Sequence, residues 1–243
     1  MEALVLAADT SMAVQTLALV RGRQCLGELV VACPRGHSQS LLGAVEHLFS
    51  LTRVDLAQVD LLAIGLGPGS FTGLRIGLAL FKGLAMGRGL PLVGVSSLWA
   101  LAAGVGAWPG VICSCVDARK GEVYAALYRV DAAGGLKALG EEMVLAPERL
   151  VVQVEQARGE APLLMVGSGV VAYEGVFRGA FPGASYGLPH RSAPSAPHLA
   201  WRAQELAAVG GVSALAALEP RYLRPSDAEI HSGAKAVRAA ANQ

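Results

Sequence analysis

Charge is scarce in this chain. Of its 243 residues 16% are charged against 53% hydrophobic, and the mean hydropathy is +0.46. Intrinsic disorder needs the opposite balance, so it is excluded. The net charge is +1, which gives no global positive field of the kind a nucleic-acid binder carries. Acid is missing most conspicuously from Leu61 to Val116, 56 residues without one Asp or Glu. Nucleotide hydrolases need a carboxylate for Mg2+ or for water, and glycosidases need two. Cysteine is limited to Cys25, Cys33, Cys113 and Cys115. Cys113 and Cys115 are two apart on one strand face, closer than zinc-binding pairs are spaced, so reduced, buried thiols are expected. The N-terminus has no basic start and no long apolar core, so it does not read as a signal peptide. Gly89 to Val116 is a 28-residue uncharged run, long enough to span a bilayer. Pro91, Pro109, three internal glycines and Ser96-Ser97 interrupt it, so it reads as a strand and a capped helix instead.

What remains is a chain that buries about 70–75% of its unfolded surface at this size. Leu4 to Ala8, Val14 to Val20 and Cys25 to Val31 predict a three-stranded meander. A helix over 38–51 follows from Leu41, Leu42, Val45, Leu48 and Phe49. Then come a strand over 60–66, a helix over 71–88, a strand over 92–95 and a helix over 96–103. The first lobe, 1–107, thus reads β-β-β-α-β-α-β-α, an α/β layer fold. The second, 108–243, opens the same way: strands over 111–116, 122–130 and 136–144, a helix over 147–158 and a strand over 163–166 ending in the turn Gly167-Ser168-Gly169. Residues 181–197 read as loop, 198–209 as helix, and the tail beyond Pro225 as frayed.

The loop Gly65 to Gly73 runs from strand into helix and contains Gly67-Pro68-Gly69-Ser70. Such a loop can hold phosphate on free N–H groups, yet it lacks both the G-K-[ST] of a P-loop and the third glycine of a dinucleotide fingerprint. The helix from Phe71 is apolar around its circumference except for Arg75, Lys82 and Arg88, and Arg75 and Lys82 lie near one face. Gly73 and Gly77, and Ala79, Gly83 and Gly87, form small-residue stripes that admit a second helix. The helix is therefore expected to be half core and half interface. His37 and His47 are ten apart and form no H-x-x-x-H pair; His190, His198 and His231 are expected to be solvated. No G-x-S-x-G surrounds Ser11, Ser38, Ser70 or Ser97. The turn Asp117-Ala118-Arg119-Lys120-Gly121-Glu122 is either an ordinary hairpin or a polar contact for nucleotide or partner.

Five segments resemble the TsaB family, also called YeaZ: LAADTS at 6–11, GHSQSLL at 36–42, GLGPGSFTGLRIGLALFKGLA at 65–85, PLVGVSSLWALA at 91–102 and VDARKGEVYAALY at 116–128. Beyond residue 130 the resemblance rests on Gly167-Ser168-Gly169 and on Pro220-Arg221-Tyr222-Leu223-Arg224. It implies a two-lobed actin-like or Hsp70-like ATPase fold, RNase H-like in each lobe, with the second reduced. It further implies a cytoplasmic, non-catalytic subunit in bacterial synthesis of threonylcarbamoyladenosine on tRNA. That subunit pairs with the transferase TsaD, which TsaE joins as an ATPase; it forms a homodimer when alone and meets tRNA only inside the complex. In TsaD, V-H-H-x-E-G-H holds a metal; here Val95 to Leu101 stands in its place, with Ser97 and Leu101 where the ligand histidines would be. No metal, no catalytic residue and no cofactor of its own are expected, ATP or ADP being placed at the interface shared with TsaD. Asp9, Thr10, Ser11 and Arg119 are the residues that could touch nucleotide. His37, Leu41, Leu42, Val45, Phe71, Leu74, Arg75, Leu78 and Lys82 are expected to touch the partner. The alternatives are a stand-alone ATPase or metallopeptidase-like enzyme of the same fold, and a homodimeric regulator independent of tRNA.

Overall fold

The computed structural model describes residues 2–33, 36–131, 134–188, 192–212 and 214–224. The predicted tail beyond Pro225, His190 and His231 lie outside them. In the first sheet, β1 (Leu4–Asp9), β2 (Val14–Arg21) and β3 (Gln24–Ala32) form the antiparallel meander. Next come α1 (Leu41–Thr52), β4 (Leu61–Gly65), α2 (Phe71–Arg88), β5 (Leu92–Val95) and α3 (Ser97–Ala103). The strand order is β3-β2-β1-β4-β5, with β4 parallel to both neighbours. Both sheet faces are covered, so β1 and β4 are buried along their whole length and read as unbroken apolar runs. α1 begins at Leu41 rather than at 38, because the carbonyl of His37 accepts from the N–H groups of Ser40 and Leu41 in a preceding turn. Ser70 caps α2 by accepting from the Gly73 N–H at 3.3 Å, and Ser96 caps α3 by accepting from the Trp99 N–H at 3.0 Å.

The second sheet contains β6 (Val111–Arg119), β7 (Glu122–Val130), β8 (Leu136–Ala138), β9 (Met143–Leu145), β10 (Leu163–Val166) and β11 (Ser185–Tyr186). Its order is β11-β10-β6-β7-β8, and β9 also pairs with β7. The single strand expected over 136–144 is therefore two. The chain leaves β7 after Leu139 and returns at Met143, which frees Glu142 to reach Ser96 and Arg221. α4 (Pro147–Arg158) is as expected. Gly167-Ser168-Gly169 is not a free turn: it opens α5 (Ser168–Ala172), and α6 (Glu174–Ala180) follows. β11 lies within the stretch read as loop and is held by two parallel pairings to β10.

Side chains alternate between the two faces of the first sheet with the period of a strand. Leu4, Leu6 and Ala8 meet α1 and α2 through Leu41, Val45, Leu48, Leu78, Phe81 and Ala85. Val5 and Ala7 meet α7 (Ala196–Ala208) through Leu199, Ala200 and Ala203. So α7, from the second half of the chain, packs on the sheet of the first. α3 spans the two sheets: Leu98, Leu101 and Ala102 pack on Ile112, Val116, Ala126 and Tyr128 of β6 and β7. Three cysteines, Cys33, Cys113 and Cys115, are buried as expected, whereas Cys25 on the edge strand β3 is exposed; all four are free. No helix among the described residues is long and apolar enough to cross a membrane.

Candidate functional site

A cleft of about 1200 Å³ opens between the two sheets. The loop after β1, the first turn of α2, the β6–β7 turn and the segment 221–224 line it. The glycines of the α2 loop serve the fold first. A Cβ on Gly69 would overlap the Ser11 carbonyl, one on Gly73 the Thr10 carbonyl, and one on Gly77 the Thr10 hydroxyl. Thr10 Oγ1 donates to the Gly73 carbonyl at 2.8 Å. The stripe Gly73–Gly77 therefore admits the first loop, not a second helix. Gly83 and Gly87, on the other side of α2, face open space.

Asp9 is 0% exposed. One carboxylate oxygen accepts from the Ser11 N–H at 2.8 Å and the Ser11 hydroxyl at 2.6 Å; the other accepts from the Ser97 hydroxyl at 2.5 Å. Ser97 Oγ in turn accepts from the Gly67 N–H at 3.0 Å. Burial raises the Asp9 pKa above its ordinary value, against the opposing pull of these hydrogen bonds and of the nearby His37. Asp9 and Thr10 lie behind the cleft wall. Ser11 and Arg119 line it. Arg119 sits at a left-handed φ of 61° in the β6–β7 turn, its side chain 84% exposed and 3.7 Å from Asp117. Strand β6 runs through Arg119 and β7 begins at Glu122, so the turn is tighter than the one predicted over Asp117 to Glu122. Asp117 is the one acid among the described residues of the lining. Ser97 is bound to Asp9 and Leu101 is buried between the sheets. Among the described residues no three His, Cys, Asp or Glu side chains converge to hold a metal ion.

The residues expected at a partner interface divide by burial. Leu41, Val45 and Leu78 belong to the core beneath the first sheet, and Leu74 packs under Gly67. These four cannot touch a partner without leaving the core, which corrects that expectation. They fix which way α1 and α2 face. His37 is also buried, 4% exposed, with Nε2 2.7 Å from the Met12 carbonyl, so it ties the approach to α1 to the loop after β1. Leu42 is 50% exposed and Arg75 is exposed; Phe71 and Lys82 are half-buried. Met86 on α2 is 74% exposed and Leu51 on α1 is 62% exposed. The helix that reads as apolar all round is thus core on one side. Its outer side carries Thr72, Arg75, Ala79, Gly83 and Met86, open in this chain.

Tyr222, Arg221 and Arg224 join the cleft, and no residue pattern marked them. The run 220–224 has no periodicity; what placed it in the sequence was family likeness alone. His198 is half-buried rather than free in solvent. Its Nδ1 lies 2.7 Å from Ser195 Oγ, its ring packs edge-on against Trp201, and burial lowers its pKa.

The chain is 36% identical over 198 residues to the tRNA threonylcarbamoyladenosine biosynthesis protein TsaB of Escherichia coli, covering 79% of this chain and 82% of that one. The chain belongs to the TsaB (YeaZ) family. TsaB of Bacillus subtilis is 31% identical over 230 residues, covering 93% of this chain and 96% of its own. Residues 31–231 also match the wider family described as TsaD, tRNA N6-adenosine threonylcarbamoyltransferase. Among solved structures, YeaZ from Pseudomonas aeruginosa superposes with a TM-score of 0.76 at 30% identity, covering 91% of this chain and all of that one. The (R)-2-hydroxyglutaryl-CoA dehydratase component A of Acidaminococcus fermentans superposes at 0.51 with 12% identity, a likeness of fold alone. This TsaB-family chain has the two-lobed, actin-like α/β fold.

Proposed function

We propose that this chain acts in the synthesis of threonylcarbamoyladenosine on tRNA, as the names of its TsaB relatives indicate, and that it does so without catalysing a step. In this reading it docks on a TsaD-family transferase through the outer faces of α1 and α2 and orders that partner's active site. TsaE is the further partner, and a second copy of the chain takes the same face when the transferase is absent. The observation that carries the reading is α2: its inner side is closed into the lobe, while Ala79, Gly83, Met86 and Arg75 stay open on the other. Small residues there let a partner helix come close, and the exposed Leu42 on neighbouring α1 extends the apolar area.

Asp9 supports the absence of chemistry. A nucleotide held for hydrolysis needs a carboxylate facing its phosphates through a divalent cation. Both Asp9 oxygens are turned inward onto Ser11 and Ser97, so Asp9 does not fit that task. ATP or ADP in the assembly would then rest at the interface with the transferase, Ser11 and Arg119 being the cleft groups of this chain that could reach it. The test is reconstitution with the cognate transferase, TsaE and tRNA. Leu42→Asp and Gly83→Leu should each abolish co-elution with the transferase and the formation of modified tRNA, with the thermal midpoint kept. Variants that still co-elute and still support modification would remove α1 and α2 from the interface.

A further inference from the structure

The segment that follows α7 rounds the β5 edge of the first sheet and then crosses the mouth of the cleft. Leu218 packs beside Leu66 and Gly94, and the Arg221 N–H donates to the Leu66 carbonyl at 2.8 Å. Three residues later the chain is on the other lobe, where Arg224 Nη1 meets Glu122 at 3.0 Å. Between these anchors Tyr222 lies on the first turn of α2. Its ring centroid is 4.9 Å from that of Phe71, and its hydroxyl accepts from Arg75 Nε at 3.1 Å. Arg75 itself lies over the Phe71 ring, 3.9 Å from its centroid.

One exposed side chain thus belongs to two surfaces. Arg75 is on the outer face of α2 and also fastens the crossing segment. Its present acceptor is a neutral phenol. A carboxylate is a stronger acceptor for a guanidinium, because both partners are ionised and the contact is bidentate. The face around Arg75 favours such a group: Arg75, Lys82 and Arg88 are the charged residues of α2, all basic, and no acid occurs between Leu61 and Val116. Two ion pairs fasten the segment as well. Arg224–Glu122 and Arg221–Glu142 are partly exposed ion pairs, a class that contributes little to stability.

We propose that residues 218–224 are a latch across the cleft, fastened through Arg75, and that a partner carboxylate docking on α2 releases it by taking Arg75 from Tyr222. The inference rests on the docking reading above and adds its regulation: occupation of α2 on one lobe is reported to the β6–β7 turn on the other.

Amide hydrogen exchange on the full chain tests this, with Tyr222→Phe and Arg75→Gln compared to the parent. Tyr222→Phe keeps the ring and removes the acceptor; Arg75→Gln imitates capture of the guanidinium. Each should raise exchange about fivefold, the ratio one lost hydrogen bond gives, in peptides covering 218–224 and also in those covering 117–122. Peptides from β1 and β4 should stay at the parent rate, which shows that the fold is intact. The double variant should exceed neither single one, since both break the same contact. Parent-level exchange at 117–122 in both variants overturns the latch. With the cognate transferase bound, the parent chain should show the same rise at 218–224, and binding without that rise overturns the release step. Absence of binding refutes the docking reading and the release with it, while the two variants still decide whether the latch exists.

Discussion

Replacing Asp9 separates a structural carboxylate from a catalytic one. In Asp9→Ala the Ser11 N–H, the Ser11 hydroxyl and the Ser97 hydroxyl lose their acceptor in a buried site. A buried donor left unpaired costs about 1–3 kcal/mol. The two hydroxyls can rotate toward other acceptors, so the sum is taken as about 4 kcal/mol rather than the upper limit. For a chain of this length that lowers the thermal midpoint by about 8–16 °C. Asp9→Asn keeps an acceptor for both Ser11 donors and offers its amide N–H to Ser97 Oγ, so its loss should stay within about 1 kcal/mol. The pH dependence has a fixed sign. Burial raises the Asp9 pKa in the folded state, so at a pH between the unfolded and folded values the folded chain is the more protonated. Stability contributed by that proton is complete below the unfolded pKa of about 3.9 and is lost as pH rises through the folded one. Asn has no such titration. The difference in midpoint between Asp9→Asn and the parent should therefore move in favour of Asn between acid and neutral pH. Thermal unfolding followed by circular dichroism across that range is the assay. A parent-like midpoint for Asp9→Ala would refute the structural assignment, and an ATP turnover abolished by that variant would make Asp9 catalytic.

The two glycine stripes of α2 should behave in opposite ways: Gly83→Ala gains up to about 1 kcal/mol of stability from helix propensity, whereas Gly77→Ala loses more than that because its Cβ meets Thr10, a contrast read from chemical denaturation. Leu42→Asp should leave the unfolding free energy within about 0.5 kcal/mol of the parent while abolishing co-elution with the transferase, because an exposed side chain contributes little to the core. A thiol reagent at neutral pH should label Cys25 alone in the folded chain and all four cysteines in denaturant, since burial pushes the Cys113 thiol up to about 12; mass spectrometry counts the adducts, and labelling of Cys113 without unfolding would contradict its burial.

Elements bounded by strong punctuation were legible to the residue. α2 begins after Gly-Pro-Gly-Ser and ends at Gly89 with a left-handed φ of 65°, and α4 begins at Pro147. β11, α5 and α6 were not legible, because short elements are fixed by what they pack on; β11 exists through two pairings with β10. The same limit applied at the candidate site. Periodicity picks out α1 and α2 as amphipathic or apolar, but the sheet beneath decides that Leu41, Val45, Leu74 and Leu78 turn inward and Leu42 and Arg75 outward. The glycines of α2 looked like helix-packing positions because the first loop, some sixty residues earlier, carries no local sign that it will fill them. The acid-free stretch, by contrast, was fully visible and coincides with the basic outer face of α2.

α7 gives the chain an order of assembly. On a ribosome the strands of the first sheet emerge complete by Val95, but Val5, Ala7, Ala63 and Val93 on their far face wait for Leu199, Ala200 and Ala203, about a hundred residues later. Until then one side of the sheet is an open apolar surface, and every residue of the second sheet has been made before it is covered. The first lobe is therefore the last to close, and α1 and α2, fastened to the opposite side of the same sheet, are finally set only when almost the whole chain is present. A nascent or truncated chain ending before Ala196 would carry α1 and α2 on a sheet whose other face is uncovered.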